Sequence, residues 1–218
     1  MLRTLASTAL LTIFFASTGW AQDHKVEIIP LFGYTFSEGF TVDPIVFDGE
    51  RYDKINPTSG MSYGFMFGYF VSENMEVGFL FDRQNSMLEA SGTTKTEFAD
   101  LKVYNYHGVF IYNFADEDDA IRPFFLGGLG ATQYSPGDVN GNNIEGSTKF
   151  STTWGGGIKA YAGENIGFQV MGRWTPTHIK DDPGGIYCSP WWPWACYQLV
   201  NGDYSNQLEL SAGVTFRF

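Results

Sequence analysis

Apolar and polar residues alternate one by one along most of this chain, most cleanly at its end. From Asn206 onward the even positions carry Leu208, Leu210, Ala212, Val214, Phe216 and Phe218. The odd positions carry Gln207, Glu209, Ser211, Gly213, Thr215 and Arg217. A β-strand sends successive side chains to opposite faces, so this segment predicts a strand with one wholly apolar face. Upstream, Val26 to Phe36 sets Val26, Ile28, Pro30, Phe32, Tyr34 and Phe36 against Glu27, Ile29, Leu31, Gly33 and Thr35. Ser59 to Phe70 sets Met61, Tyr63, Phe65, Phe67 and Tyr69 against Ser62, Gly64, Met66 and Gly68.

Five further strands follow the same rule. One starts at Met75, with Glu76, Gly78, Leu80 and Asp82 on its less apolar face. The next, Leu101 to Phe114, puts Asn105, His107, Val109 and Ile111 together. One from Ile121 alternates least clearly, with Pro123, Phe125 and Leu129 on one side and Phe124 and Leu126 on the other. Strands around Phe150–Ala160 and Phe168–Trp174 carry Lys159 and Arg173 on their polar faces. Between these eight strands the connections alternate in length. Ser37–Pro57, Gln84–Asp100, Gln133–Ser147 and Pro176–Ser205 are long and expected to be loops. Val71–Asn74, Ala115–Ala120 and Ala162–Asn165 are tight turns.

Alternation alone fits a soluble sandwich as well as a membrane barrel; the start of the chain decides between them. Arg3, the apolar run Leu5–Ala16 and the small residues Gly19 and Ala21 form an export leader over 1–21. Its apolar run is too short for a spanning helix, which needs about 20 residues, and no later segment offers one. The expected fold is therefore all-β: an eight-stranded antiparallel up-and-down transmembrane barrel over 22–218. Its polar face turns inward and its apolar face meets lipid. An even strand count puts both termini on one side, the periplasmic one, where the short turns belong.

Composition narrows the partners. The formal net charge is −11, and loss of Arg3 with the leader makes the mature chain −12. That excludes nucleic acid, which requires a cationic footprint. Aromatic content of 17% and 26 glycines argue against disorder and fit aromatic girdles around a narrow interior. Cys188 and Cys196 are the two cysteines, and an exported chain passes through an oxidising compartment, so a local disulfide is expected.

The export leader, the tandem amphipathic hairpins, the glycine-alternating segment Arg122–Gly130 and the ending Val214-Thr-Phe-Arg-Phe218 resemble the small outer-membrane β-barrel superfamily. This superfamily includes the eight-stranded OmpA- and OmpX-type barrels, and the resemblance covers the whole mature chain. It implies an integral protein of the outer membrane. It also implies that the aromatic Phe216 and Phe218 belong to the signal read by the barrel-assembly machinery. No periplasmic domain of the OmpA kind follows the last strand in this sequence.

Four groups of residues could carry chemistry. The inward-facing Glu27, Glu76, Asp82, His107, Lys159, Arg173, Glu209 and Arg217 form an interior polar network. Glu27 with Arg217 and Arg173 with Glu209 are expected ion pairs, since buried charges need partners. An eight-stranded interior is just wide enough for side chains to fill, so a closed polar core is expected rather than a porin-like pore for small solutes. His24, His107 and His178 are not accompanied by a GxSxG or His-x-Glu spacing, so no catalytic residue is assigned and no enzyme is expected. A lipid-modifying enzyme built on His178 is the alternative. Asp138–Glu145 resembles a calcium loop in composition but has Gly141 and Glu145 too early, and reads more simply as a turn. No metal or other cofactor is assigned. Finally, Trp191, Trp192 and Trp194 lie between the cysteines on a proline-stiffened loop suited to a headgroup surface or an extracellular ligand. The expected molecule is a monomer held among outer-membrane lipids and lipopolysaccharide, with a structural or surface-interaction role.

Overall fold

A computed structural model describes residues 25–38, 40–47, 50–92, 95–116, 119–137, 146–179, 186–188, 196–201 and 204–218. The leader, the Asp138–Glu145 segment and the three tryptophans of the last connection lie outside these residues. Twelve strands are present: β1 (Val26–Ser37), β2 (Phe40–Phe47), β3 (Glu50–Pro57), β4 (Gly60–Ser72), β5 (Met75–Gly92) and β6 (Lys95–Asn113). They continue with β7 (Ile121–Pro136), β8 (Ser147–Tyr161), β9 (Ile166–His178), β10 (Ile186–Cys188), β11 (Cys196–Asn201) and β12 (Tyr204–Arg217).

Eight of them, β1, β4, β5, β6, β7, β8, β9 and β12, pair antiparallel in a closed ring. The ring shuts where β1 meets β12, with Glu27 opposite Arg217 and Ser37 opposite Gln207. That ladder skips the positions around Pro30, whose missing N–H removes a donor. On its other side Pro30 stays paired with Phe65. At one end of the barrel lie both termini and the tight turns; at the other the strands run on.

Here the structure departs from the expected loops. β5 and β6 are 18 and 19 residues long, well beyond the roughly 9–11 needed to cross a membrane. Residues 84–92 and 95–100 continue the same ladder, with Ser91 opposite Lys95. The segment 37–57 is a β2–β3 hairpin. Its β3 takes over from β4 as the neighbour of β5, with Leu88 opposite Pro57. At the junction the Thr58 carbonyl accepts from Ser86 Oγ at 2.6 Å and Gln84 Nε2 at 3.1 Å. Beyond it β11 pairs with β2 and β10 with β11. Past the membrane both faces of a strand can meet water, so strict alternation fades while backbone pairing persists. That is why a hydrophobic pattern marks these stretches as loops.

The outward face is the apolar one. Phe32, Met61, Leu129 and Val170 are each more than 60% exposed, as is expected only of a surface facing lipid. The inward face is crowded, and glycine makes room at the closest approaches. A Cβ on Gly64 would lie 1.9 Å from the Phe81 carbonyl, and one on Gly130 would lie 1.9 Å from that of Tyr106. Among the described residues no helix is long and apolar enough to cross a membrane.

This facing generates a depth test. Leu210→Arg, on the outward face at mid-strand, should cost about 2–4 kcal/mol, whereas Tyr204→Arg, at the strand's far end, should cost at most about 1 kcal/mol. Urea titration of each variant folded into lipid vesicles measures the difference. Equal costs would move the apolar band.

Candidate functional site

Most inward positions fall into three layers stacked along the barrel axis, and beyond the third Leu101, Val103 and Tyr134 form a second buried apolar cluster. The layer nearest the termini is ionic. β1 contributes Glu27, β5 Glu76, β8 Lys159 and β12 Arg217, all buried. Lys159 Nζ donates to Glu27 Oε2 at 2.5 Å and to Glu76 Oε1 at 2.6 Å, spanning the interior. Arg217 Nε donates to Glu27 Oε1 at 2.9 Å, and Tyr161 Oη donates to the same oxygen at 2.6 Å. Asn113 Nδ2 donates to the same Glu76 oxygen, Oε1, at 2.7 Å. Phe70 sits among the cations, its ring centroid 5.5 Å from Arg122, 5.7 Å from Lys159 and 5.7 Å from Arg217. Arg217 also stacks on Tyr161 at 3.7 Å.

Arg122 enters this layer differently. It is fully buried, yet its bonds go to backbone: Nη2 to the Glu73 carbonyl at 2.7 Å and Nε to the Ala115 carbonyl at 3.3 Å. It thereby ties two tight turns together beneath the barrel.

The middle layer is apolar. Ile29, Leu31, Met66, Leu80, Val109, Ile111, Phe124, Leu126 and Met171 form one buried cluster. The expectation of a polar core throughout is thus corrected: the waist is lined chiefly by apolar side chains. Small glycines on the inward face leave this volume to the larger side chains of neighbouring strands.

The far layer is polar again. Arg173 on β9 bonds Asp82 on β5, and its Nη2 lies 2.7 Å from Glu209 Oε2 on β12. Asn105 Nδ2 donates to Asp82 Oδ2 at 3.0 Å and to Gln207 Oε1 at 2.9 Å. Thr132 Oγ1 donates to Asn105 Oδ1 at 2.6 Å and contacts Ser151 Oγ at 3.0 Å. His107 Nε2 lies 2.9 Å from Ser151 Oγ. This His–Ser contact is walled in: both residues are at most 1% exposed, and Nδ1 of the ring has no partner to orient it. A nucleophile needs an oriented base and room for substrate, and neither is present around Ser151.

The structure brings together Glu27 with Arg217 and Arg173 with Glu209, neighbours across adjacent strands. It adds Lys159–Glu76, Lys159–Glu27 and Arg173–Asp82, which join strands that are not adjacent. Sequence reasoning passed over Arg122, Gln84, Thr132, Ser151 and Gln207, although their odd or even positions marked them as inward. His178, at the end of β9, packs edge-on against Tyr204 at 5.2 Å and stands outside the interior. Cys188 and Cys196 face each other in the β10–β11 register. Phe216 and Phe218 are exposed on the outward side, and the Phe218 amide donates to the Val26 carbonyl at 3.0 Å. Among the described residues no group of three or more His, Cys, Asp and Glu could hold a metal.

A closed ring of eight antiparallel strands, greasy outside and plugged inside, defines a small integral outer-membrane barrel. The model of the outer membrane protein beta-barrel domain matches residues 6–218, and the chain belongs to that family. Among solved structures it is similar to OprG of Pseudomonas aeruginosa, at 15% identity and a TM-score of 0.60, covering 91% of this chain and 98% of OprG. It is also similar to the Neisserial surface protein NspA, at 14% identity and a TM-score of 0.54, covering 88% of this chain and 97% of NspA. Both likenesses concern the fold. Among curated proteins, the lipid A deacylase PagL of Pseudomonas aeruginosa is 33% identical over 78 residues. That match takes in 36% of this chain and spans less than half, 43%, of PagL.

The ionic layer makes a sharp prediction. Lys159→Met leaves Glu27 and Glu76 without their shared cation and should destabilise the folded barrel by about 3–5 kcal/mol. Adding Glu76→Gln should recover part of that loss. A double-mutant cycle by urea unfolding in vesicles measures the coupling; simple additivity would mean that the contact is energetically idle.

Proposed function

We propose that this outer-membrane barrel is a closed post whose role is structural or interactive, exercised by the strands extending past the membrane at the end away from the termini. In this reading residues 1–21 are a cleaved leader, both termini lie in the periplasm and the extended end faces outward. The observation that carries it is the chiefly apolar waist between two ion networks. An ion crossing there would lose its hydration without gaining partners, so the interior supports no through-path. What remains to present to the surroundings is the extension, built from β2, β3, β10, β11 and the distal halves of β5 and β6. A bridge between Cys188 and Cys196 would stiffen its edge, since cross-strand partners in an antiparallel ladder stand about 4.5–5.5 Å apart.

Two measurements test this reading. Purified protein in planar bilayers should carry no stable current, and a steady open state would overturn the closed post. An epitope tag inserted between Phe47 and Glu50 should be reached by antibody on intact cells. Labelling only after lysis would invert the proposed orientation.

A second reading rests on the stretch shared with the lipid A deacylase PagL: an enzyme acting on outer-leaflet lipid, with His178 at the distal end of β9 as its base. Its assay is release of acyl chain from lipid A by the wild type and loss of that release in His178→Ala. Absence of release from the folded wild-type barrel would remove this reading.

A further inference from the structure

The outward wall carries few charges, and the described acid next to the group below is the exposed Asp100, two residues beyond Lys102 on the same face of β6. Among the described side chains of the barrel strands, the cations on that face are Arg83 of β5 and Lys102 of β6. They are near neighbours. Tyr63, Arg83 and Tyr104 are register partners across β4, β5 and β6 and stand side by side facing out. The Arg83 guanidinium lies over both rings, 5.5 Å from the Tyr63 centroid and 5.6 Å from that of Tyr104. Arg83 is half-buried, and its Nε is sealed from solvent with no hydrogen-bond partner. Lys102 is exposed two residues beyond Tyr104 on the same face, between Asn85 and Ser135 in register. That places it diagonally across the strand pair from Arg83, a separation of about 7–8 Å that long side chains close readily.

The depth of this group is fixed by the strand. Met75 is the first residue after the tight turn, and Arg83 follows eight residues later. At about 3.3 Å per residue that is roughly 26 Å of strand, or roughly 20 Å along the axis at the usual 35–45° tilt. The apolar band of such barrels is about 25 Å tall, so Arg83 sits about 5 Å short of its far edge, within a long side chain's reach of the headgroups. One step towards the termini, Phe65, Phe81 and Tyr106 stand side by side as an aromatic row across β4, β5 and β6, with centroids 5.6 and 5.3 Å apart. A cation pair above an aromatic row matches one kind of occupant, an anionic head with acyl chains hanging from it.

We infer that Tyr63, Arg83, Tyr104 and Lys102 form a binding site for a phosphomonoester of a lipid A headgroup in the outer leaflet. Its acyl chains cross the Phe65–Phe81–Tyr106 row below. The inference rests on the orientation proposed above. Stacking between two rings holds the guanidinium plane and leaves its N–H edge for a coplanar, bidentate acceptor, the geometry arginine offers phosphate. The tyrosine hydroxyls are further donors. A phosphomonoester carries about −1.5 to −2 charges near neutral pH, matching two cations, whereas a phospholipid diester carries one. The chain as a whole, at −11, offers anions no general attraction, so the site works by placement.

Native mass spectrometry of the folded full-length protein in detergent, with EDTA present, tests the site. EDTA removes divalent cations that would bridge lipid phosphates to acidic loops, and binding in micelles does not depend on orientation, so the tag experiment and this one fail separately. Bisphosphorylated lipid A should form a one-to-one adduct at lower concentration than phosphatidylglycerol. Dephosphorylated lipid A should bind weakest. Arg83→Gln should weaken the adduct roughly tenfold, as loss of charge-assisted hydrogen bonds does, and Lys102→Gln should weaken it a few-fold. Unchanged affinity in the double variant, or equal binding of dephosphorylated lipid A, would overturn the site; equal binding of phosphatidylglycerol would overturn the monoester. Heat-modifiable migration on gels checks folding. Should Arg83→Gln fail that check, the exposed Lys102→Gln decides alone, and no loss there overturns the proposal.

Discussion

A strand inside hydrocarbon must find all its backbone hydrogen-bond partners on other strands, because lipid offers none. In this chain the demand falls hardest on β1 and β12, which are distant in sequence and must meet with no hairpin to align them. Their seam is reinforced beyond the ladder. Lys25 N and Val26 N both donate to the Phe218 carbonyl, at 2.9 and 3.2 Å, and the Phe218 amide returns a bond to Val26. Glu27 and Arg217 add an ion pair on the inner side of the same junction. The one weak point is Pro30, and it falls where β1 keeps its full ladder with β4.

Closure dictates the interior. Eight strands enclose a space that side chains can fill, and the inward residues fill it in layers of different chemistry. The ionic layer near the termini pairs two carboxylates with Lys159 and Arg217, while Arg122 leans on turn carbonyls. The far layer shares one guanidinium between Asp82 and Glu209 and spreads outward through Asn105, Thr132 and Gln207. The aliphatic waist separates them, so neither network relays charge to the other. In the proposed reading this arrangement closes the bore and leaves recognition to the outer surfaces.

How much of this was legible in the sequence depended on whether a residue faced lipid. Wherever one face meets acyl chains, as from Leu208 to Phe218 or Met61 to Tyr69, the alternation is strict and gives strand, facing and neighbours. Glu27 and Arg217 could be paired in advance because both flank the closing seam. Lys159 and Glu76 could not, since nothing in one strand's pattern says which residue lies across the bore. Past the membrane the signal fails for another reason. Residues such as Ser86 to Gly92 and Lys95 to Asp100 remain paired, but with water available to both faces their sequence carries no period. Arg122 was missed at a position whose parity pointed inward, because Phe124 and Leu126 on the same face blurred the contrast between the two sides of β7.

That blurring exposes what the buried charges are for. Replacing a buried ion pair by apolar groups is often neutral or stabilising in a soluble protein, so the networks are poorly explained as stabilisers alone. In a barrel, a one-residue slip exchanges the inner and outer faces of a strand. Ile29, Leu31, Leu80 and Leu126 would be nearly as well placed against lipid, so the waist penalises such a slip hardly at all. Glu27, Glu76, Lys159, Arg173 and Glu209 would not, since a Lys or Arg turned to lipid is penalised according to depth, from about 0–1 kcal/mol near the interfaces to about 2–4 kcal/mol at the midplane, acids somewhat less. The charges stand in layers at both ends of the waist, so nearly every barrel strand is anchored by a polar inward residue near each of its ends. Their desolvation cost is the counterpart of a register that the apolar middle of the chain could not specify.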